Sequence, residues 1–283
     1  MSPVVKAVII QIVLIFALII WLIPAYTMII NGFKSNTDIL TSKALVPPTS
    51  FSILAFREAW SGLQGPVLNS ILVIFPVSII STVLGSMAAY YFDILSSGFS
   101  RTVRNFGTAG FVLVALGTFI PYQATLMPLT RFMVGISGLG TYWGILFAYL
   151  IFYLPTGALL MSIFMAVVPG RFTDAARMDG ASDIRIFFRV IMPAVMPGFI
   201  ATLIFIFIMS WNVFFLPLVL VTDPSSQLVS VAVDSFTGGF GTLYNETFSA
   251  AIIASFVPLV LFIFLGRYFI RGLMALGSGG KGV

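Results

Sequence analysis

The chain has 283 residues, of which 59% are hydrophobic and only 8% charged, with a net charge of +5 and a mean hydropathy of +1.11. Soluble domains carry about 25% charged residues, so this is a bilayer composition, and no polar stretch is long enough to form a separate soluble catalytic domain. Histidine and cysteine are both absent, which excludes Cys/His and Ser/His catalytic pairs, disulfides and the commonest nitrogen and sulfur metal ligands.

A membrane helix needs about 20 apolar residues. Stretches without Asp, Glu, Lys or Arg run from Ala7 to Phe33, Ala59 to Phe92, Asn105 to Thr130, Phe132 to Gly170, Val190 to Thr222 and Thr247 to Gly266. Trimming their polar ends predicts six transmembrane helices, at 8–30, 68–91, 107–128, 143–165, 199–221 and 248–269. The fold class expected is therefore an all-α polytopic membrane protein with a single domain over 1–283. Lys6 ahead of the first run resembles a signal-peptide start, but the run is too long and lacks a small-x-small cleavage site, so a retained helix is expected. Pro24, Pro76, Pro155 and Pro258 lie within spans. They mark either kinks around a path or kinks that neighbouring helices simply tolerate.

Positive charge is retained on the cytoplasmic side. With both termini inside, ten of the fourteen Lys and Arg residues fall there, leaving Lys34, Lys43, Arg57 and Arg131 outside. This topology accounts for the basic pI near 9.6. No basic stripe suits nucleic acid, whereas anionic membrane lipid is an expected partner.

Apart from Arg267 near the end of the last, the six cores contain no charged residue, which argues against ion-coupled transport, proton relays and voltage sensing. A Gly-x4-Gly-Lys-Ser/Thr phosphate cradle is also missing. The tail Gly277-Ser278-Gly279-Gly280-Lys281-Gly282 reads as a flexible end.

The longest cytoplasmic loop, 166–197, is organised. Residues 171–179 read as a short helix, Gly180 permits a left-handed break, and a second helix starts at the N-cap Ser182 and stops before Pro193. On that helix Ile184, Phe187, Phe188 and Ile191 have the spacing of one apolar face, with Arg185 and Arg189 on the other. Small residues at the bend suit a knob gripped by another protein; an interfacial amphipathic hairpin fits the periodicity equally.

Asp174-Ala175-Ala176, three residues, Gly180, nine residues and Val190-Ile191-Met192-Pro193 resemble the E-A-A-x3-G-x9-I-x-L-P loop of ATP-binding cassette importer permeases. Ile120-Pro121-Tyr122-Gln123, Thr141-Tyr142-Trp143-Gly144, Ser210-Trp211-Asn212 and Arg267-Tyr268-Phe269-Ile270-Arg271-Gly272-Leu273 look like the carbohydrate-uptake branch. The matches extend from Asn69-Ser70 to the C-terminal tail. Asp174 stands where the family usually has Glu, and Val190 and Met192 replace Ile and Leu.

The resemblance implies the type I permease fold and a bacterial or archaeal inner membrane. It implies a second homologous permease, two ATPase subunits and an extracytoplasmic sugar-binding protein as partners. The chain itself would be non-catalytic and without a cofactor, ATP and Mg being bound by the ATPase. Asp174, Ala175, Ala176, Asp179, Gly180, Ala181 and Pro193 would form the coupling region. An uncharged path has no ion to couple to, so work would enter through this contact.

For a sugar path, the aromatic and amide clusters at bilayer depth are Asn69 with Ser70, Tyr122 with Gln123 and Thr125, Tyr149 with Tyr153, and Ser210 with Trp211 and Asn212. Trp211 with Asn212 ranks first and Gln123 next. Each could instead join helices by hydrogen bonds. Glycerol phosphate or a polyol is the alternative solute, and a lipid-directed membrane enzyme the alternative class.

Overall fold

The computed structural model describes residues 2–41, 44–98, 100–238 and 243–278, with side chains to residue 270. Lys43, Gly239 and the tail from Gly279, including Lys281, lie outside the described residues. The chain order is α1 (Pro3–Gly32), α2 (Asn36–Thr41), α3 (Leu54–Ser96), α4 (Arg101–Gly117), α5 (Tyr122–Gly135), α6 (Tyr142–Met165), α7 (Gly170–Met178) and α8 (Asp183–Ile186). A π turn (Phe187–Ile191) leads into α9 (Met192–Ala194), followed by α10 (Met196–Trp211), α11 (Phe215–Leu220), a 3-10 turn (Pro224–Ser226), α12 (Val229–Asp234) and α13 (Tyr244–Ser278). Among the described residues there is no strand.

Helices α1, α3 and α6 and the stretch Tyr244–Ile270 of α13 are each long and apolar enough to cross a membrane alone. Two bent pairs hold the remaining apolar length: α4 with α5, bent by 95°, and Asp183–Ala194 with α10, bent by 80°. The expected core 107–128 thus contains a sharp break between Gly117 and Tyr122. Pro121 is its chemical cause, because it lacks an N–H and pushes the preceding residue out of the helical region. The expected core 199–221 is likewise divided, with α10 ending at Trp211 and α11 starting at Phe215.

The chain forms two compact units. The first comprises residues 1–64 and 232–256. In it the Ser249 hydroxyl donates to Gly32 O at 3.1 Å, and Phe33 packs on Phe56 with ring centroids 4.7 Å apart. Gly32 allows this approach, since a Cβ would lie 2.9 Å from Ile252 Cδ1 and 3.3 Å from Phe56 Cζ, and those side chains would have to give way. Lys34, counted above among the outer charges, is fully buried.

The second unit comprises 65–231 and 257–283 and carries the candidate site. Its centre is a crossing of α3 with α6 at backbone distance. A Cβ on Gly85 would sit 2.5 Å from Ala158 N, and one on Gly157 2.3 Å from Ser81 O. Ser78, Thr82 and Ser86 line the buried face of α3, with Ser78 donating to Ile74 O and Thr82 to Ser78 O at 2.7 Å. Small residues and internally satisfied hydroxyls allow this close approach, the usual basis of helix association in lipid.

Candidate functional site

The loop at the C-terminal end of α6 is a folded knob. Helix α7 ends in a Schellman motif: Ala181 N–H donates to Ala176 O and Gly180 N–H to Arg177 O, both at 3.0 Å. Gly180 has φ +75, a conformation costing an L-residue roughly 1–2 kcal/mol. No atom lies within 4 Å of where its Cβ would be, so the constraint is backbone conformation rather than space. Ala176 and Ala181, joined by the motif, pack at the edge of a buried cluster. Ser182 occupies the N-cap of α8 with extended backbone.

The second helix differs from its expected form. Phe187 and Ile191 point inward with Ile186 and Val195, against Ala89 and Tyr90 of α3, Met161 and Phe164 of α6 and Ala201 of α10. Ile184 and Phe188, assigned by spacing to the same face, are 74% and 58% exposed. Ile186, Phe187 and Ile191, with Val190 packed beside them, form the buried stripe at ordinary helical spacing, and that stripe turns Ile184 and Phe188 outward. Pro193 does not stop the helix, which runs on to Ala194. The break instead falls at Val195, between Ala194 and α10.

Asp174, Ala175, Asp179 and Pro193 are exposed, as is Met178 at 88%. Arg177, not singled out by the motif, reaches Asp174 at 3.9 Å and Asp183 at 3.5 Å and so bridges the two knob helices. Both pairs are solvent-accessible and worth at most about 1 kcal/mol. The knob therefore has an inner face packed on three long helices and an outer face carrying Met178, Ile184 and Phe188.

The polar residues proposed for a path divide into distinct settings. Trp211 is buried and stacks on Phe207, centroids 5.4 Å apart. Asn212 is exposed just after α10 and donates to Ile208 O at 2.7 Å. Ser210 is fully buried, its hydroxyl donating to Ile206 O at 2.7 Å. Tyr122 packs edge-on against Phe152, and Gln123 beside it is exposed. Tyr149 and Tyr153 stack with centroids 6.1 Å apart; the Tyr149 hydroxyl is buried without a hydrogen-bond partner among the described residues.

Asn69 has a different setting. Its amide donates to Ser225 O at 2.8 Å and Gln227 O at 3.1 Å, and its carbonyl accepts from the Tyr142 hydroxyl. Ser70 accepts from Val229 N–H at 2.8 Å. Tyr142 is presented there by the turn before α6, in which Thr141 caps Gly144 N–H at 3.1 Å and Gly140 takes φ +72. The Thr-Tyr-Trp-Gly run was visible in the sequence; its partners in the 220s, over 150 residues from Asn69, were not.

Several helices long and apolar enough to cross a membrane, with a packed knob between two of them, are the frame in which the comparisons with known proteins fall. Residues 81–274 match the family of binding-protein-dependent transport system inner membrane components, and the chain belongs to it. Over its whole length, and 99% of the relative's, it is 53% identical to the glucose import system permease protein GlcU of Saccharolobus solfataricus. It is 28% identical to the xylose/arabinose import permease protein XacI of Haloferax volcanii, over 92% of this chain and 89% of that one. Its fold matches a crystal structure of a bacterial ABC transporter involved in importing the acidic polysaccharide alginate, with TM-score 0.73 at 20% identity, covering 95% of this chain and 98% of that one.

Proposed function

We propose that this chain is the permease subunit of an ATP-driven, binding-protein-dependent importer of a monosaccharide, with glucose the first candidate. The observation that carries the sugar class is the full-length 53% identity with a glucose import permease. Its place is the inner membrane, as a multi-pass component.

In this reading the knob and both termini face the cytoplasm. The outer face with Met178, Ile184 and Phe188 seats in a partner ATPase, with Asp174, Ala175 and Asp179 bordering the contact and Gly180, Ala181 and Pro193 shaping it. The ATPase binds ATP and Mg. Its nucleotide states favour different permease conformations, and the 80° bend between the knob helix and α10 turns knob displacement into tilt of the helix bearing Trp211. A second homologous permease, a pair of ATPases and an extracytoplasmic sugar-binding protein complete the complex. Trp211, Asn212, Tyr122 and Gln123 offer ring faces and amides to the sugar, and Ser210 shapes the path, whereas Asn69, first considered for the path, has its amide committed to Ser225 O and Gln227 O.

Reconstitution of the co-purified complex in proteoliposomes tests this. ATP inside and glucose-loaded binding protein outside should together give glucose accumulation, diminished at least tenfold when either is omitted. Uptake that ignores ATP, or accumulation of a polyol or glycerol phosphate in preference to glucose, would contradict it.

A further inference from the structure

The segment after α11 has the exposure of a loop and the bonding of a core element. Thr222, Asp223, Pro224 and Ser225 are exposed, yet the chain on either side is fixed. Gly140 N–H donates to Leu220 O at 2.9 Å, Asn69 holds Ser225 and Gln227, Ser70 holds Val229, and the Ser230 hydroxyl donates to Val213 O at 2.8 Å. The segment also stiffens itself, because the Asp223 carboxylate accepts from Ser225 N–H at 3.0 Å and from its hydroxyl at 2.6 Å. Surface connections between helices rarely need so many ties.

Asn69 is the centre of this arrangement. Both of its donors and one acceptor position are occupied by protein, and the residue is only 7% exposed. Its hydrogen-bonding capacity serves the segment. The site also lies far from the knob: Tyr142 opens α6 and the knob follows its other end, so the helix's 24 residues separate them by about 36 Å at 1.5 Å per residue. On the importer reading, this is the outer mouth, where solute arrives on a soluble partner.

We infer that Asn69 is a positioning residue: with Tyr142 and Ser70 it holds residues 223–229 as a preformed seat for the solute-loaded binding protein. This rests on the importer function proposed above. A segment free to move would have to be ordered at each docking event, and preorganisation removes that cost from association. The exposed Asp223 carboxylate and neighbouring hydroxyls present a polar, acceptor-rich surface, which suits a partner face carrying hydrogen-bond donors.

The test uses the complete complex in proteoliposomes, with ATP-driven uptake measured against the concentration of glucose-loaded binding protein. Asn69→Ala and Asn69→Asp should raise the KM for that protein about tenfold and change the rate at saturation less than twofold. Tyr142→Phe, which removes one bond, should raise it about threefold. An unmoved KM, or a fall in the saturated rate at constant KM, overturns the assignment, the latter placing Asn69 on the solute path. If the Asn69 variants fail to assemble, the exposed pair Asp223→Ala with Ser225→Ala decides, since it leaves the helix contacts untouched: a raised KM supports the seat and an unchanged one rejects it. Wild-type uptake indifferent to any binding protein would instead defeat the importer reading itself, so the two failures are distinct.

Discussion

The two ends of α6 are built on opposite principles. At its C-terminal end the knob is anchored by apolar packing of Ile186, Phe187 and Ile191 and presents Ile184, Phe188 and Met178 outward. At its N-terminal end the clamp is made of hydrogen bonds in which Asn69 and Tyr142 donate and Ser70 accepts, and it presents hydroxyls and a carboxylate. Non-directional packing lets a body shift as a unit while remaining buried. Directional bonds to backbone carbonyls fix one geometry and are lost together if it changes. The contrast teaches that one end is suited to being moved by a partner and the other to being held still while a partner docks.

The comparison breaks most visibly at Gly180. Gly180→Val should lower ATP-driven uptake more than a hundredfold while the chain still inserts in the membrane, because a β-branched residue cannot hold φ near +75. Gly180→Asn should retain most of the activity, since Asn tolerates that region and the site has room. Equal loss in both would show that space rather than backbone conformation matters. Next in size, Ile184→Glu with Phe188→Glu should cut ATPase co-purification at least tenfold with little change in melting temperature, as both side chains are already exposed. Full ATPase recovery would move the contact elsewhere.

Phe187→Ala addresses the inner face. It should destabilise the permease by about 3 kcal/mol or more through the cavity left beside Tyr90 and Phe164, read by thermal denaturation in detergent. The smallest effect belongs to the clamp's own turn. Hydrogen bonds from Ser225 hold the Asp223 carboxyl below its ordinary range. A lowered carboxylate pKa means that the turn's stability is complete at neutral pH and is lost as pH falls through the folded value. The KM for the binding protein should therefore stay flat from pH 7 to about pH 4 as far as this group governs it, and Asp223→Asn should remove any rise seen below that.

Much of this architecture could be read from the residues. The run around 143–165 is apolar throughout, and Thr141 ahead of it is a good cap, so α6 follows from composition and local chemistry. Gly180 is legible for the same reason: a glycine between a short helix and a Ser N-cap predicts a left-handed turn. The direction of Ile184 and Phe188 was not, because two overlapping apolar stripes, one through Ile184 and Phe188 and one through Ile186, Phe187, Val190 and Ile191, fit a helical period, and only packing against α3, α6 and α10 selects the second. The break before Tyr122 is signalled by Pro121, although its 95° angle is a tertiary result. Asn69 illustrates the remaining limit. An amide at bilayer depth is equally suited to solute and to backbone carbonyls, and only the fold brings Ser225 and Gln227 to it.

The central claim is that the outer face of the knob is gripped by an ATPase. The chain has no cysteine, so Met178→Cys or Ile184→Cys introduces a single reactive position without further engineering. A short photo-crosslinker attached there, activated in native membranes, should join the permease to one polypeptide bearing a Gly-x4-Gly-Lys-Ser/Thr phosphate-binding motif, with a yield that changes between ATP and ADP. Crosslinks to lipid alone, in either nucleotide, would make the segment an interfacial hairpin and contradict the account.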